Sequence, residues 1–131
     1  MINQLSKKMS KNKKKVLVID DEDFIRELIK DFLELGGILC SGAESAAQGL
    51  ESIAQENFDL ILLDRNLGKI KAEDLVAQIR TRNRTIPIVI LTGDQQCGGE
   101  YLNRIGADGI IFKPFQVTDF MESIKNYLEI E

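Results

Sequence analysis

Residues 16–23 read VLVIDDED, a run of four apolar residues followed directly by four acids. A short unbroken run of Val, Ile and Leu is typical of a strand covered on both faces, as in a parallel sheet. Carboxylates at its end would repel one another by about 1 kcal/mol per pair at 4 Å in water, and by more in a lower dielectric. We therefore expect a positive charge to meet this acidic run in the folded protein.

Apolar runs of the same kind recur along the rest of the chain. We predict strands at VLVI (16–19), GILC (37–40), DLILL (59–63), PIVIL (87–91) and GIIF (109–112). Amphipathic segments with helical spacing separate them, and the clearest of these follows the last strand. This β-α repeat predicts an α/β fold, with right-handed crossovers and helices on both faces of a parallel sheet. Ligands bind such sheets beyond the carboxyl ends of the strands.

Charge is unevenly distributed along the chain. Residues 1–15 contain six lysines and no acid, whereas the other 116 residues contain 11 basic and 21 acidic side chains. Because short lysine-rich termini are usually solvated, we predict a basic flexible tail over residues 1–15. Residues 16–131 have the size of one folded domain, for which we expect no nucleic-acid binding.

Composition also limits the compartment and the chemistry. The lysines lead straight into the first strand rather than into the apolar run of a signal peptide, and no apolar run approaches the roughly 18 residues of a membrane span. We therefore expect a cytoplasmic protein without a membrane partner, and no disulfide between Cys40 and Cys97. Histidine is absent from the chain, which excludes Ser-His-Asp and Cys-His catalysis, histidine-ligated zinc and an internal phosphohistidine.

Polar side chains stand at the carboxyl ends of four predicted strands. Asp20 and Asp21 follow the first strand, Asp64 the third, Thr92 the fourth and Lys113 the fifth. Taken singly, each has a structural explanation as a helix cap, a turn residue, an ordinary strand residue or a solvated charge. Because the strand ends of a parallel sheet lie along one edge, a single site explains all of them together.

The acidic run also precedes the first predicted helix. Asp21 or Asp23 could accept hydrogen bonds from the free amides at its start. Helix capping explains Glu22 and Asp23 well, but it explains Asp20 poorly, because Asp20 is effectively part of the strand.

The charges at the strand ends predict a metal site. Asp20, Asp21 and Asp64 carry three negative charges and Lys113 one positive charge, so one divalent cation would neutralise the remainder. Oxygen ligands without a soft donor favour Mg²⁺ or Mn²⁺. Asp64 could then accept a phosphoryl group whose oxygens are held by the cation, the Lys113 ammonium and the Thr92 hydroxyl.

The elements VLVIDDED, LILLDRN, VILTGD and GIIFKPF resemble the receiver domains of two-component response regulators, in that family's order and spacing. The resemblance covers nearly all of residues 16–129. It implies a flavodoxin-like (βα)₅ fold, a doubly wound five-stranded parallel sheet with strand order 2-1-3-4-5. It also implies a cis peptide bond between Lys113 and Pro114.

The resemblance assigns roles to the same residues. It makes Asp64 the phosphoacceptor and Thr92 and Lys113 the groups that bind the phosphoryl oxygens. The implied Mg²⁺ ligands are Asp20, Asp21, Asp64 and the backbone carbonyl of Asn66.

The implied function is a phosphorylation-dependent signalling switch rather than an enzyme with a separate substrate. A sensor histidine kinase or a histidine phosphotransfer protein would donate the phosphoryl group, and the domain would catalyse only its own phosphorylation and dephosphorylation. A downstream target protein or an output domain would respond to the change. Since only Glu131 follows the segment NYLEI, we expect either a single-domain regulator or the receiver part of a longer protein.

Two positions are expected to tune the hydrolysis of the phosphorylated form, and two others depart from the family pattern. In similar domains, the positions of Asn66 and Asp94 tune hydrolysis of the aspartyl phosphate, and two polar residues there indicate a short-lived phosphorylated state. Ile110 replaces the usual aromatic switch residue, and Gly68 stands where most relatives have proline. These departures favour an alternative, a receiver-like interaction scaffold that works without phosphorylation.

Overall fold

The structure, a computed structural model, describes residues 13–130. Its strands are β1 (Lys15–Ile19), β2 (Leu39–Ala43), β3 (Leu60–Asp64), β4 (Asn66–Leu67), β5 (Ile70–Lys71), β6 (Ile88–Thr92) and β7 (Gly109–Phe112). Its helices are α1 (Asp23–Leu35), α2 (Ala46–Gln55), α3 (Ala72–Arg82), α4 (Gly99–Ile105) and α5 (Val117–Leu128).

Five parallel strands form the main sheet, in the order β2-β1-β3-β6-β7. Because β4 and β5 pair only with each other, this order is the predicted 2-1-3-4-5 order of the five sheet strands. The predicted α/β doubly wound architecture is therefore confirmed.

The helices cover both faces of this sheet. Residues of α2, α3 and α4 pack in one apolar cluster with alternate residues of the central strands, such as Leu17 and Ile61. Residues of α1 and α5 pack in a second cluster on the other face, with Val18 and Leu62. All four residues from Leu60 to Leu63 are 0% exposed, which explains why the central strands lack apolar-polar alternation.

Strand β2 begins at Leu39 and not at Gly37, so the prediction for this strand was two residues too early. The physical reason is the end of α1. The amide of Ile38 donates to the carbonyl of Leu33 at 2.9 Å, and Gly37 has a positive φ of 76°. A left-handed glycine followed by such a bond closes the helix, so this segment terminates α1 instead of pairing in the sheet.

After β3 the chain forms an antiparallel hairpin whose two strands have two residues each. This hairpin was not predicted from the sequence. Asn66 pairs with Lys71 and Leu67 pairs with Ile70. Gly68 lies in the turn with a φ of 65°, a conformation that suits glycine. Gly68, which the resemblance marked as a departure from proline, therefore serves here as a turn residue.

Arg80 of α3 joins the elements at the amino end of the sheet. Its guanidinium donates to the carbonyl of Ile86 at 2.6 Å and to the carbonyl of Gly106 at 3.1 Å. It also pairs with the carboxylate of Asp108 at 2.9 Å, and Asp108 in turn accepts from the amide of Ile88 at 2.8 Å. One side chain therefore connects α3 to the starts of β6 and β7 and to the end of α4.

Most of the predicted basic tail, residues 1–12, lies outside the described residues. Strand β1 begins at Lys15, one residue inside the predicted tail, and Lys15 Nζ lies 2.6 Å from a carboxylate oxygen of Glu56. The Lys113–Pro114 peptide bond is cis, as the resemblance implied. In the described part of the chain, no helix has the length and apolar character that a membrane crossing requires.

Candidate functional site

The carboxyl edge of the sheet brings the ends of four strands together. Asp20 directly follows β1, Asp64 ends β3, Thr92 ends β6 and Lys113 directly follows β7. Asp64 is in register with Leu91, one residue before Thr92, so β3 and β6 end at the same level. Asp20, Asp64 and Thr92 are also the buried polar residues of the described chain, with exposures of 0, 5 and 2%.

Four carboxylates cluster at this edge. One oxygen from each of Asp20, Asp21, Glu22 and Asp64 lies within 4.8 Å of the others. Asp20 and Asp64 are buried, whereas Asp21 and Glu22 are exposed. Carboxylate oxygens so close together, some of them open to solvent, fit a hard divalent cation that keeps part of its water shell.

Glu22 was not predicted as a candidate metal ligand, because its place before the first helix indicated helix capping. It is the N-cap residue of α1, but its side chain makes no capping hydrogen bond. The capping expected of Asp21 or Asp23 is also not observed, since Asp23 pairs instead with Arg26. The amide of Glu22 donates to Asp20 Oδ1 at 2.9 Å. The acidic run itself was the available signal for Glu22.

Arg26 also holds this loop, and sequence reasoning did not single it out. Its Nη1 donates to the backbone carbonyl of Asp20 at 2.6 Å. This bond fixes the chain at the point where β1 gives way to α1, and so it positions the Asp20 carboxylate.

Lys113 supplies the positive charge that the acidic run led us to expect. Its Nζ donates to Asp20 Oδ2 at 2.9 Å and lies 3.6 Å from Asp64 Oδ1. Burial alone lowers the pKa of this ammonium, but the hydrogen bond with Asp20 and the charges of Asp64 and Asp20 outweigh burial and raise it. Lys113 is therefore a stable cation between the two buried carboxylates.

The Asp64 carboxyl has an unusual affinity for protons. Its pKa rises from 3.8 to about 6, chiefly because burial penalises the charged form. The charge of Asp20 raises the pKa further, whereas the hydrogen bond from the Asn66 amide and the charge of Lys113 lower it. A buried carboxylate with an unfavourable charge has more to gain from a cation than an exposed one.

Thr92 and Asp94 are joined within one loop. The amide of Asp94 donates to Thr92 Oγ1 at 3.0 Å. Because a hydroxyl has one proton and two lone pairs, this bond leaves the Thr92 proton free to donate. The Asp94 side chain accepts a hydrogen bond from the backbone amide of Gln96 at 2.9 Å and pairs with the Arg65 guanidinium at 2.7 Å. These two bonds, the first above all, lower the pKa of Asp94.

Two further predicted positions are Asn66, which contacts the site, and Ile110, which lies within the strand that precedes Lys113. Asn66 is exposed in β4, and its backbone amide donates to Asp64 Oδ1 at 3.1 Å. Ile110 lies in the middle of β7 with its side chain half-buried. The pairing partner of Asp94, Arg65, was not identified from the sequence, because the reach of its side chain to another loop has no local pattern.

The fold and this edge together define a class, that of doubly wound α/β domains with a cluster of carboxylates at the carboxyl ends of their strands. The family model described as "Response regulator receiver domain" matches residues 16–125. The chain belongs to this family. It is therefore a receiver domain of the two-component type, a class of phosphoacceptor signalling domains rather than classical enzymes.

Curated relatives agree with this assignment. The chain is 34% identical over 122 residues to the transcriptional regulatory protein ResD of Bacillus subtilis, covering 89% of this chain and 49% of that protein. It is 36% identical over 122 residues to the phosphate regulon transcriptional regulatory protein PhoB of Pseudomonas aeruginosa, covering 88% and 52%. The chain thus spans about half the length of these relatives.

Solved structures give the same fold. A CheY-like receiver domain protein from Methanospirillum hungatei JF-1 superposes with a TM-score of 0.82 at 29% identity, covering 90% of this chain and 95% of that one. A response regulator from Clostridium difficile superposes with a TM-score of 0.81 at 28% identity, covering 89% and 97%.

Proposed function

We propose that Asp64 accepts a phosphoryl group from a phosphohistidine of a partner protein, in a reaction that depends on Mg²⁺, and that the domain thereby acts as a signalling switch. One observation carries the proposal: the Asp64 carboxylate shares a 4.8 Å cluster with Asp20 and Asp21 and lies 3.6 Å from the Lys113 ammonium. This geometry supports the proposal, because it would bring a nucleophile, a cation site and a positive charge together.

In the proposed transfer, an Asp64 oxygen attacks the phosphorus atom. The bond between phosphorus and the donor nitrogen breaks, and its electron pair stays on the imidazole, which then takes up a proton. These 131 residues contain no histidine, so the phosphohistidine has to come from outside them. A sensor histidine kinase or a histidine phosphotransfer protein has the required group.

The side chains around Asp64 have distinct tasks in this scheme. Asp20, Asp21 and Asp64, with the Asn66 carbonyl and Glu22 as a further carboxylate, would hold the cation. Mg²⁺, or Mn²⁺ in its place, would supply charge neutralisation for the carboxylates and the phosphoryl oxygens.

Lys113 and Thr92 would bind the transferred group. The ammonium of Lys113 supplies a fixed positive charge, and the free hydroxyl proton of Thr92 can donate to a phosphoryl oxygen. Asn66 and Asp94 are both exposed, which supports access of water to the aspartyl phosphate and a short-lived phosphorylated state. The scaffold alternative is not favoured by the family match or by the acidic cluster.

The proposed switch also requires a partner that responds to phosphorylation. A downstream target protein or an output domain would bind the phosphorylated form, in the cytoplasm. The half-length coverage of ResD and PhoB supports an output domain in related proteins.

Incubation with acetyl phosphate and Mg²⁺ tests the proposed chemistry. We expect the intact mass to increase by one phosphoryl group, and we expect this gain to disappear in Asp64→Asn and on addition of a chelator. Asp31→Asn is the matched control, because Asp31 is an exposed aspartate on α1 and outside the acidic cluster. A phosphoryl group that remains after Asp64→Asn, or an unmodified wild-type chain, would contradict the proposal.

Stability as a function of pH tests the cation site separately. Because the folded chain raises the pKa of Asp64 from 3.8 to about 6, this carboxyl favours the fold most below its unfolded pKa, and that contribution is lost as the pH rises through the folded pKa. A cation that binds the ionised form restores it. We therefore expect millimolar Mg²⁺ to raise the unfolding temperature more at about pH 7.5 than at about pH 5.

Differential scanning fluorimetry with a reporter dye measures this difference. Asp64→Asn provides the control, since it removes the titrating group and a ligand, and we expect a much smaller effect of Mg²⁺ with little dependence on pH. An equal rise in unfolding temperature at the two pH values in the wild-type chain would argue against cation binding at Asp64.

A further inference from the structure

Arg65 directly follows Asp64, but its side chain contacts the loop after β6 and helix α4. Its Nη1 donates to Asp94 Oδ2 at 2.7 Å. Its Cζ atom lies 4.6 Å from the centre of the Tyr101 ring, within the range of a cation–π contact. One guanidinium therefore joins the residue next to the phosphoacceptor to two different elements.

The Tyr101 ring extends this connection to α3. Arg104 also lies against the ring, with its Cζ 5.5 Å from the centre, and Arg104 Nη1 donates to Glu73 Oε2 at 3.0 Å. The ring is thus a shared contact of two guanidinium groups, one from Arg65 directly after β3 and one from α4 itself. Departure of Arg65 would leave Arg104 as the remaining one of these two guanidinium groups on the ring.

The contacts of Arg65 are of a kind that exchanges readily. The side chains of Arg65 and Asp94 are 30% and 49% exposed, and ion pairs open to solvent contribute little to stability. A phosphoryl group adds negative charge and three strong acceptor oxygens. Guanidinium groups bind phosphate in a two-pronged geometry that is stronger than a single exposed pair with a carboxylate. Phosphorylation of the neighbouring Asp64 would thus present Arg65 with a better partner.

The loop that would lose Arg65 also carries Thr92. The Asp94 amide donates to Thr92 Oγ1 at 3.0 Å, so release of the Asp94 side chain and binding of phosphoryl oxygens by Thr92 affect the same short segment. Helix α4 begins a few residues later, at Gly99, and spans only seven residues. A short helix has few bonds of its own that could resist such a change.

We propose that Arg65 couples phosphorylation of Asp64 to α4: its guanidinium leaves Asp94 and Tyr101 for the phosphoryl oxygens and so releases the first turns of this helix. The inference rests on the proposed function of Asp64. Arg65 would act on α4 through the Tyr101 ring.

Tyrosine fluorescence can follow this exchange directly. The chain contains two tyrosines and no tryptophan, so Tyr127→Phe leaves Tyr101 as the single emitter. Beryllium fluoride with Mg²⁺ serves as a stable analogue of the phosphoryl group on a carboxylate. On its addition we expect a change in Tyr101 emission and an increase in quenching by iodide, because the ring loses one of its two guanidinium neighbours.

Matched substitutions separate coupling from simple packing. Arg65→Met removes the proposed guanidinium ligand of the phosphoryl oxygens, so intact mass after prolonged incubation with acetyl phosphate first establishes the modified fraction. In that modified fraction we expect the Tyr101 response to be lost. Arg104→Met removes the other guanidinium from the same ring and should keep the response, although its starting emission will differ. Arg65→Lys keeps the charge without the planar group, and we expect phosphorylation with only a weak response.

The outcomes distinguish this inference from the proposed function. A wild-type chain that acetyl phosphate does not modify would overturn both. Phosphorylation with an unchanged Tyr101 signal, or a full response in Arg65→Met, would overturn the coupling alone. If Tyr127→Phe does not fold, the arginine Nε–H resonances of the otherwise unaltered chain provide a second measurement. The resonance that is absent in Arg65→Lys must then shift on addition of beryllium fluoride.

Discussion

Replacing Lys113 by methionine will lower the free energy of unfolding by about 3 kcal/mol when divalent cations are absent. Asp20 is fully buried, and the Lys113 ammonium donates to it at 2.9 Å and lies 3.6 Å from Asp64. Removing the ammonium leaves two close carboxylates in a poorly solvated site without a compensating charge. Urea unfolding in the presence of a chelator measures the loss.

A second substitution and the addition of Mg²⁺ should each reverse part of this loss of stability. Asp20→Asn in the Lys113→Met background removes one of the uncompensated charges, and we expect it to recover a large part of the stability. Mg²⁺ should also stabilise Lys113→Met more than it stabilises the wild-type chain, because the cation then replaces the missing charge. Lys30→Met is the matched control, since Lys30 is exposed on α1, and its effect should stay within about 0.5 kcal/mol. Equal losses for the two lysine variants would show that Lys113 does not compensate a buried charge.

Phe120→Ala will destabilise the fold by about 3–5 kcal/mol. Phe120 is 1% exposed in α5, and its ring lies 4.8 Å from that of Phe115 and 5.9 Å from that of Phe32 in α1. Truncation to alanine removes the central member of this aromatic group and leaves a cavity between the sheet and the two helices that cover this face.

The matched control is the same substitution at an exposed position. Phe24 in the first turn of α1 is 71% exposed, so Phe24→Ala should change the free energy of unfolding by no more than about 0.5 kcal/mol. Chemical unfolding of both variants, followed by circular dichroism, gives the comparison. Similar losses for the two variants would mean that α5 is not held by its aromatic contacts.

The sequence predicted the sheet well, because its strands are short apolar runs that only a sheet covered on both faces can bury. It predicted the start of β2 wrongly, since the turn that closes α1 uses Gly37 and Ile38 before pairing begins. The hairpin around Gly68 could not be predicted from periodicity, because its strands have only two residues each.

The site was predictable to the extent that it depends on strand ends. Asp20, Asp64 and Lys113 are placed by the main chain, so their positions in the sequence were sufficient to predict that they meet. Their roles as phosphoacceptor, cation ligand and phosphoryl-binding group remain predictions. Glu22 and Arg65 were not predicted as parts of the site, because the directions of long side chains depend on neighbours that no local pattern specifies.

The hydrogen bonds of Arg80 distinguish the amino end of the sheet, which they cross-link, from the carboxyl end. At the amino end of the sheet, this one guanidinium binds the carbonyls of Ile86 and Gly106 and the carboxylate of Asp108. Helix α4 is therefore tethered at its C-cap residue Gly106. Near its beginning, Tyr101 packs against the core and also contacts the guanidinium groups of Arg65 and Arg104. If α4 moves as proposed, the bonds of Arg80 favour a swing about its carboxyl terminus, which would alter the surface next to α3 while the edge of the sheet opposite the acidic cluster stays in place.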